Sequence, residues 1–266
     1  MKIKFTKMVG SGNDFVLIDN REKIIKEDLI SMFTRKVCHR TAGIGSDGLI
    51  LIEFSVNADF TMRIINTDGS EAEMCGNGAR CAAYFAYVKG IAEADMTFNT
   101  LAGVIGGVVD ARNVKVKMID PHSRRDTINL GLESAVFQID TGVPHAVLFV
   151  NDIKKVDVDA TGSFVRFHDE FKPKGTNVNF VEVINEHEIF VRTYERGVEG
   201  ETLSCGSGST ASAIFSALKK GCKSSVKVKT ASGEVLNIHF KVNGEEVKEV
   251  YLEGKVCLVF EGNIAT

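Results

Sequence analysis

Two cysteines stand in nearly the same setting at two places in the chain. Cys75 opens the stretch CGNGARCAAYFAYVKG, and Cys205 opens the stretch CGSGSTASAIFSALKKG. In each stretch a glycine, a small polar residue and a second glycine precede an alanine-rich apolar run that ends at a glycine. These runs predict helices over 76–90 and 206–220, so each cysteine stands at the amino terminus of a helix.

The amino terminus of a helix favours an anion, because its first backbone N–H groups have no acceptor within the helix and the helix dipole is positive there. The same field lowers the pKa of a nearby thiol from about 8.5 toward neutral pH. Two glycines in the first turn let a ligand approach the backbone closely. Each motif therefore places a reactive sulfur next to a site for a carboxylate.

Two such motifs around one ligand suit the inversion of a stereocentre. One thiolate removes the proton from the carbon next to the carboxylate, and the opposite thiol delivers a proton to the other face of that carbon. The N–H groups of the helix ends stabilise the charge that develops on the carboxylate. We therefore expect Cys75 and Cys205 to form an acid/base pair in a site that closes over its substrate.

The sequence also contains an internal repeat at a constant spacing. Cys205 follows Cys75 by 130 residues, and the same shift aligns further pairs: Gly12 with Gly142, Gly45 with Gly175, Glu71 with Glu201, Phe85 with Phe215, Lys89 with Lys219 and Gly103 with Gly233. Such a repeat predicts two similarly folded halves. We expect one half over residues 1–120 and the other over 121–254, with a linker in MIDPHSRRDTINLGLE and with about 255–266 crossing back to the first half.

Most other segments are short, β-branched and bounded by glycine or asparagine, which predicts strands. The two helices are apolar on nearly all faces and must therefore be buried. The sequence thus predicts an α+β fold of two pseudo-symmetric halves. Each half would be a curved, mostly antiparallel sheet wrapped around a central helix, with the active site between the halves.

Composition restricts the class of protein. The 266 residues are 44% hydrophobic and 25% charged, and the net charge is −3, as in globular proteins that bind neither nucleic acid nor membranes. The start of the sequence, MKIKFTKMVG, lacks the pattern of a signal peptide, which favours a cytoplasmic location. The six cysteines include no C-x-x-C pair, so we expect no metal site. Four of them are predicted to be buried packing residues: Cys38, Cys81, Cys222 and Cys257.

With these features in place, the chain resembles the diaminopimelate epimerases, isomerases of lysine and cell-wall precursor synthesis that convert the LL to the meso isomer. The matching runs occur in the family's order over nearly the whole length: KMVGSGNDFVLID, GIGSDGL, INTDGSEAEMCGNGARC, TGVPH, GTNVNFVEV and TYERGVEGETLSCGSGSTAS. The resemblance implies a reaction without metal or pyridoxal phosphate, and a homodimer.

The resemblance also implies the roles of individual residues. Cys75 and Cys205 would be the acid/base pair, and the reacting carboxylate would bind the backbone N–H groups of Gly76, Asn77, Gly206 and Ser207. The second amino-acid end of the substrate would be held by Asn13, Asn66, Asn177, Glu195 and Arg196. Amide and guanidinium donors suit a carboxylate, and a glutamate suits an ammonium group.

Some features keep other functions open. Val143 stands where many family members have asparagine, which leaves room for a proline, hydroxyproline or broad-specificity racemase with the same two-thiol mechanism. Cys205 with His145 would suit a cysteine hydrolase, although a supporting, hydrogen-bonded role for His145 near the site is favoured. The chain could also be an anion-binding protein whose cysteines only pack. GIGSDG matches a dinucleotide fingerprint, but a strand is predicted after it where a helix is needed.

Overall fold

The computed structural model describes residues 2–265. The chain divides into two compact units, Met1–Lys117 with Gly254–Thr266 (unit 1) and Met118–Glu253 (unit 2). Strands with few helices make up both units, and the predicted α+β class is confirmed. None of the helices in the described part of the chain has the length and apolar character that a membrane crossing requires.

Unit 1 contains two helices, α1 (Ile30–Cys38) and α2 (Gly76–Val88), and a 3-10 turn at Glu27–Leu29. Its strands are β1 (Lys2–Gly10), β2 (Asn13–Asp19), β3 (Gly48–Glu53), β4 (Phe60–Asn66), β5 (Glu71–Ala72), β6 (Asp95–Thr100), β7 (Gly103–Asp110) and β8 (Asn113–Lys117). Strand β2 pairs in parallel with β3, and β4 with β6, whereas the pairs β1–β2, β3–β4, β4–β5, β6–β7 and β7–β8 are antiparallel.

The last strand of the chain, β17 (Glu246–Ala265), returns to unit 1. Its carboxyl-terminal part pairs antiparallel with β1, from Lys2 opposite Ala265 to Gly10 opposite Val256. Residues 256–265 thus belong to the same sheet as the first strand of unit 1. Strand β1 therefore has β2 as its neighbour on one side and β17 on the other.

Unit 2 contains α3 (Val158–Arg166), α4 (Gly206–Lys220) and 3-10 turns at Ile153–Lys155 and Asp169–Phe171. Its strands are β9 (His122–Ile128), β10 (Val136–Asp140), β11 (Pro144–Phe149), β12 (Asn177–Asn185), β13 (Glu188–Glu195), β14 (Gly200–Thr202), β15 (Val226–Lys229), β16 (Val235–Asn243) and the first part of β17. Its pairings repeat those of unit 1: β11–β12 and β13–β15 are parallel, and β12–β13 and β13–β14 antiparallel.

The repeat extends to the register of individual residues. In unit 1, Phe15 lies opposite Gly48, and two residues further along β3, Ile50 lies opposite Ile64. In unit 2, His145 lies opposite Asn177, and two residues further along β12, Asn179 lies opposite Thr193. Phe15, Ile50 and Ile64 of unit 1 therefore occupy the positions of His145, Asn179 and Thr193 in unit 2.

Each unit buries one helix against its own strands. Helix α2 contacts β1, β2, β3, β4, β7 and β8, and α4 contacts β10, β11, β12, β13, β15 and β16. Ten residues of α2 are buried, and many are small, which lets the strands approach the helix closely. A Cβ added to Gly10 of β1, for example, would lie 3.1 Å from the Sγ of Cys81. The burial predicted for both helices is confirmed.

The sequence did not predict α1 and α3, because both are amphipathic helices on the outside of the sheets. Helix α1 buries Ile30, Thr34, Val37 and Cys38 and exposes Met32, Arg35 and Lys36. Helix α3 begins at a capping residue, Asp157, whose Oδ1 accepts the N–H of Ala160. Periodicity near 3.6 was present in both segments, but each is short and is surrounded by strand-like runs.

Two further expectations differ from the structure. The segment predicted to be a linker contains β9, which pairs with β10, and the exposure of its residues alternates, with Arg124, Asp126 and Ile128 on the more buried face. Among the cysteines expected to pack, Cys38, Cys81 and Cys222 are buried, and burial raises the pKa of Cys38 and Cys222. Cys257 is exposed, because its side chain lies on the outer face of β17.

Helix α4 ends at a glycine that its conformation requires. Gly221 has φ +75° and ψ +18°, and its N–H reaches the carbonyl oxygen of Ser216. Replacing Gly221 by alanine should lower the free energy of unfolding by about 1 kcal/mol, since a Cβ is strained in this left-handed region. Gly200→Ala in the same unit is the control, because its φ is not positive and its nearest neighbour, an oxygen of Asp159, lies 3.9 Å away. Chemical denaturation of both variants should show a loss for Gly221→Ala alone.

Candidate active site

Each of the two motif cysteines caps a buried helix in nearly the same geometry. Cys75 precedes α2 with φ −140° and ψ 119°, and its Sγ accepts the N–H of Gly78 at 3.5 Å. Cys205 precedes α4 with φ −130° and ψ 112°, and its Sγ accepts the N–H of Gly208 at 3.4 Å. Both side chains are half-buried. The sulfur atoms therefore lie where the helix field stabilises a thiolate most.

The first turn of neither helix carries a negative charge that would repel an anionic ligand. The turns read Gly-Asn-Gly-Ala after Cys75 and Gly-Ser-Gly-Ser after Cys205, and neither contains a carboxylate that would neutralise the helix end. Gly76 and Gly206 are the first residues of their helices and are buried. Backbone N–H groups of such a turn bind carboxylates well, because they point along the helix axis toward the ligand.

In unit 1 a chain of hydrogen bonds with a fixed direction starts from α2. Arg80 donates to the Oδ1 of Asn77 at 2.6 Å, and the Nδ2 of Asn77 donates to the Oδ1 of Asn13 at 2.7 Å. The Nδ2 of Asn13 then donates to a carboxylate oxygen of Asp47 at 3.0 Å. Since a guanidinium can only donate and a carboxylate can only accept, both amides are held in one orientation. Asn13 and Asn77, both predicted as substrate contacts, are thus joined.

The two ends of this chain are anchored by charges. Arg80 is fully buried within unit 1 and also donates to the Oγ of Ser11 at 2.8 Å and to the carbonyl oxygen of Lys255 at 3.2 Å. At the other end, Arg40 lies 2.5 Å from Asp47. Such anchoring keeps the amide of Asn13 from rotating.

The carboxylate of Asp14, the neighbour of Asn13, belongs to the same cluster. Lys7 lies 2.6 Å and Arg40 2.9 Å from its oxygens. Burial raises the pKa of Asp14, but the hydrogen bonds and charges of Arg40 and Lys7 lower it by more, so the net pKa lies below its ordinary value. The group therefore remains ionised at neutral pH and keeps Arg40 in place between the two carboxylates.

Asn66 lies apart from this chain of hydrogen bonds. It is exposed at the end of β4, and its Nδ2 donates to the Oγ of Ser70 at 3.1 Å, within its own turn. The side chain is therefore positioned by a local turn instead of by Asn13 or Asn77. Of the substrate contacts predicted in unit 1, Asn66 is the one with the most solvent-accessible amide.

In unit 2, Cys205 is linked to a buried histidine through a serine. The Oγ of Ser207 lies 3.5 Å from the Sγ of Cys205 and 2.9 Å from the Nε2 of His145. His145 is completely buried, and its pKa is lowered to about 3, first by burial and then by the charge of Arg196. A histidine of this kind is neutral at physiological pH and binds a proton too weakly to be an effective general base, although it can still donate and accept hydrogen bonds.

The remaining predicted contacts of unit 2 lie at the ends of β12 and β13. The Oδ1 of Asn177 accepts the backbone N–H of Arg196 at 2.8 Å, and its Nδ2 donates to the carbonyl oxygen of Pro144 at 3.2 Å. Glu195, the last residue of β13, lies opposite Gly200 of β14. Asn177 thus fixes the turn that carries Glu195 and Arg196. Val143 is the residue before Pro144, whose carbonyl oxygen accepts the hydrogen bond from Asn177.

Three residues near the site were missed from the sequence. Asn179 lies inside a strand that is otherwise apolar, and Arg80 is a charged residue in a helix that is otherwise apolar. Asp47 belongs to GIGSDGL, a run that the family resemblance includes without a role for its aspartate. The signal for the first two was present, since a polar residue at a core position needs partners. Some of the partners lie far away in the chain, His145 34 residues before Asn179 and Ser11 69 residues before Arg80, at positions that a periodic pattern does not identify.

Comparisons with known proteins show the family to which the chain belongs. The family model described as diaminopimelate epimerase matches residues 5–122 and 137–259. A diaminopimelate epimerase of Aquifex aeolicus (strain VF5) is 50% identical over 276 residues, covering 99% of this chain and 98% of its own. One from Hydrogenobaculum sp. (strain Y04AAS1) is 44% identical and covers 98% of both. The chain belongs to the diaminopimelate epimerase family.

Solved structures extend the likeness of fold beyond this family. A phenazine biosynthesis protein of the PhzF family from Bacillus anthracis matches with a TM-score of 0.77 at 16% identity, over all of both chains. A probable proline racemase from Agrobacterium radiobacter K84 matches with a TM-score of 0.72 at 13% identity, over 99% of this chain and 93% of its own. At such identities these structures establish the α+β fold shared with the epimerase family, and not a common substrate.

The buried histidine makes stability depend on pH. The pKa of His145 is about 3 in the folded chain against an ordinary value of 6.5, so the unfolded chain binds its proton first. This contribution to stability is complete above pH 6.5 and is lost as the pH falls toward 3, at about 1.4 kcal/mol per pH unit. Urea denaturation at several pH values between 7.5 and 4.5 should show a steeper acid loss for the parent protein than for His145→Gln. Equal slopes for the two proteins would contradict the neutral, buried state of His145.

Proposed function

We propose that this member of the family interconverts LL- and meso-diaminopimelate by removing and returning the proton at one α-carbon. The observation that carries the proposal is the pair of cysteines, each the capping residue of a buried helix with a carboxylate-free first turn. A reaction with two bases needs such a pair, whereas a hydrolase would need one nucleophile and a titrating base. Burial lowers the pKa of His145 to about 3, so its ring binds a proton too weakly to serve as the base of the second scheme.

In this mechanism one thiolate takes the α-proton and the opposite thiol supplies the new one. The α-carboxylate binds the N–H groups at Gly76 and Asn77 and at Gly206 and Ser207, and negative charge grows on it as the α-carbon loses its proton. Because these N–H groups are fixed in advance by the helices, they stabilise this charge without reorganisation. We expect the reaction to need neither a metal nor pyridoxal phosphate.

The proposal requires both halves of the chain. Residues 1–120 with 255–266 would present Cys75 to one face of the α-carbon, and residues 121–254 would present Cys205 to the other. The distal end of the substrate would bind the polar residues at the strand ends, namely Asn13, Asn66, Asn177, Glu195 and Arg196. The amide of Asn13 donates one N–H to Asp47 and accepts one hydrogen bond from Asn77. Its second N–H and its second lone pair would then serve the substrate.

Two further properties belong to the proposal. Two catalytic thiols work only while they are reduced, which favours the cytoplasm as the place of action. We also expect a homodimer, as the family resemblance implies.

The reaction can be tested by proton NMR in deuterated buffer, with LL-diaminopimelate, reductant and catalytic protein. We expect the meso isomer to accumulate with deuterium at the inverted α-carbon, because the returning proton comes from a thiol that exchanges with solvent. Folded, reduced protein that leaves LL-diaminopimelate unchanged would contradict the substrate. The same assay with proline, hydroxyproline and other single amino acids would then show whether Val143 marks a different specificity.

The two cysteines should be equally necessary, since each serves one face of the carbon. Cys75→Ala and Cys205→Ala should each lower kcat for epimerisation at least about 10³-fold, a loss at the level of a removed acid or base. Cys257→Ala is the matched control, because Cys257 is an exposed cysteine of β17, and its kcat should stay within about twofold of the parent. An active Cys75→Ala variant would contradict the two-base mechanism.

A further inference from the structure

Behind Cys205 lie three buried polar residues that have no polar counterpart in unit 1. His145, Asn179 and Thr193 are each at most 3% exposed. The register positions that they occupy are filled in unit 1 by Phe15, Ile50 and Ile64. Since buried polar groups cost stability unless they are hydrogen-bonded, a polar set that replaces an apolar one indicates a specific role.

The orientation of the Asn179 amide follows from its partners. Its Nδ2 lies 2.9 Å from the carbonyl oxygen of Ala146, which can only accept, so this atom must be the NH2 group. Its Oδ1 then accepts the hydroxyl of Thr193 at 3.0 Å. The amide is therefore held in one orientation by strands on both sides.

This orientation decides the tautomer of His145. The same NH2 group of Asn179 lies 3.1 Å from the Nδ1 of His145, so Nδ1 has to accept. The ring is neutral, and its one proton must then reside on Nε2, which donates to the Oγ of Ser207 at 2.9 Å. One lone pair of the Ser207 hydroxyl is used in this way, and its own proton is available for donation to the Sγ of Cys205, which lies 3.5 Å away.

Asn179 also touches the first turn of α4 directly. A Cβ built on Gly208 would overlap the Oδ1 of Asn179, so the glycine leaves the space that the amide fills. Gly208 supplies the backbone N–H that the Sγ of Cys205 accepts. In unit 1 the corresponding Gly78 faces the methyl groups of Ile64 and Ile50.

We propose that Asn179 is a positioning residue for Cys205: it holds His145 as the Nε2–H tautomer, so that the Ser207 hydroxyl donates to the sulfur. The inference rests on the proposed function for its catalytic meaning, because the donor favours the thiolate over the thiol at Cys205. The opposite tautomer would draw the Ser207 proton toward Nε2 and leave the sulfur facing an acceptor. The arrangement belongs to Cys205, since Asn77 in the place of Ser207 is engaged with Asn13 and Arg80.

The tautomer can be read from the ¹⁵N chemical shifts of the His145 ring in the full-length protein. We expect the Nε2–H form between pH 6 and 9. The parent protein in the Nδ1–H form would overturn the proposal without any variant. Asn179→Asp replaces the donor by an acceptor of the same shape, and its carboxylate should shift the ring to the Nδ1–H form at the alkaline end of this range.

The effect on Cys205 can be measured by its rate of alkylation as a function of pH, followed by peptide mapping. Ser207→Ala should raise the apparent pKa of Cys205 by about one unit and slow its alkylation near neutral pH about tenfold, because one donor to a charged acceptor is lost. Asn179→Asp should act in the same direction, and the double variant should show no additive loss. Ile50→Val, at the equivalent position of unit 1, is the matched control and should leave Cys205 unchanged.

The results separate this inference from the function on which it rests. In one outcome, the parent protein is inactive on diaminopimelate, while its His145 ring is in the Nε2–H form and Cys205 alkylates more slowly in Ser207→Ala. That result would support the positioning role and contradict the substrate. Active epimerase whose Cys205 alkylates equally fast with and without the Ser207 hydroxyl would overturn the positioning role alone. If Asn179→Asp does not fold, the ¹⁵N shifts of the His145 ring in the parent protein and the alkylation rate of Cys205 in Ser207→Ala still test the positioning role.

Discussion

The structure depends on one constraint: a helix that is apolar on all sides has to be buried along its sides. Each unit satisfies this constraint by packing strands along the sides of one helix and placing a cysteine at its amino terminus. The N–H groups of Gly78 and Gly208 then reach the sulfur atoms, and the first turn of neither helix carries a carboxylate. The field of the helix acts most strongly where low-dielectric walls surround it.

The two units share a scaffold but differ in what supports the cysteine. In unit 1 a buried arginine and an ion-pair cluster hold two asparagines in one direction, from Arg80 through Asn77 and Asn13 to Asp47. In unit 2 a neutral histidine and a buried amide hold a serine hydroxyl next to Cys205. A repeat that has diverged in this way gives two sulfur atoms similar backbone surroundings and different side-chain partners. Such a difference suits a reaction in which one sulfur gives a proton while the other takes one.

Much of this arrangement could be predicted from the sequence, because the signals for it lie in short stretches of neighbouring residues and in their repeat. The glycines next to Cys75 and Cys205 specify the helix starts, and the 130-residue spacing specifies the duplication, so the α+β class followed. The buried partners could not be predicted, because Arg80 and Ser11, or His145 and Asn179, meet only after strands distant in sequence have paired. The helices α1 and α3 were missed because tertiary packing, and not propensity, stabilises short amphipathic segments. Cys257 was misjudged because strand alternation alone does not tell which face is covered.

The last strand also has a consequence for how the chain folds. Residues 256–265 of β17 pair with β1, and the paired residues are 246 positions apart for Gly10 and Val256 and 263 apart for Lys2 and Ala265. Contacts between residues so far apart in sequence form slowly, because the long stretch between them has to close first. Unit 2 is contained in one continuous stretch, Met118–Glu253, and needs no such closure. Unit 1 is therefore expected to complete its sheet after unit 2, and the edge of β1 that β17 covers is exposed to wrong partners until then.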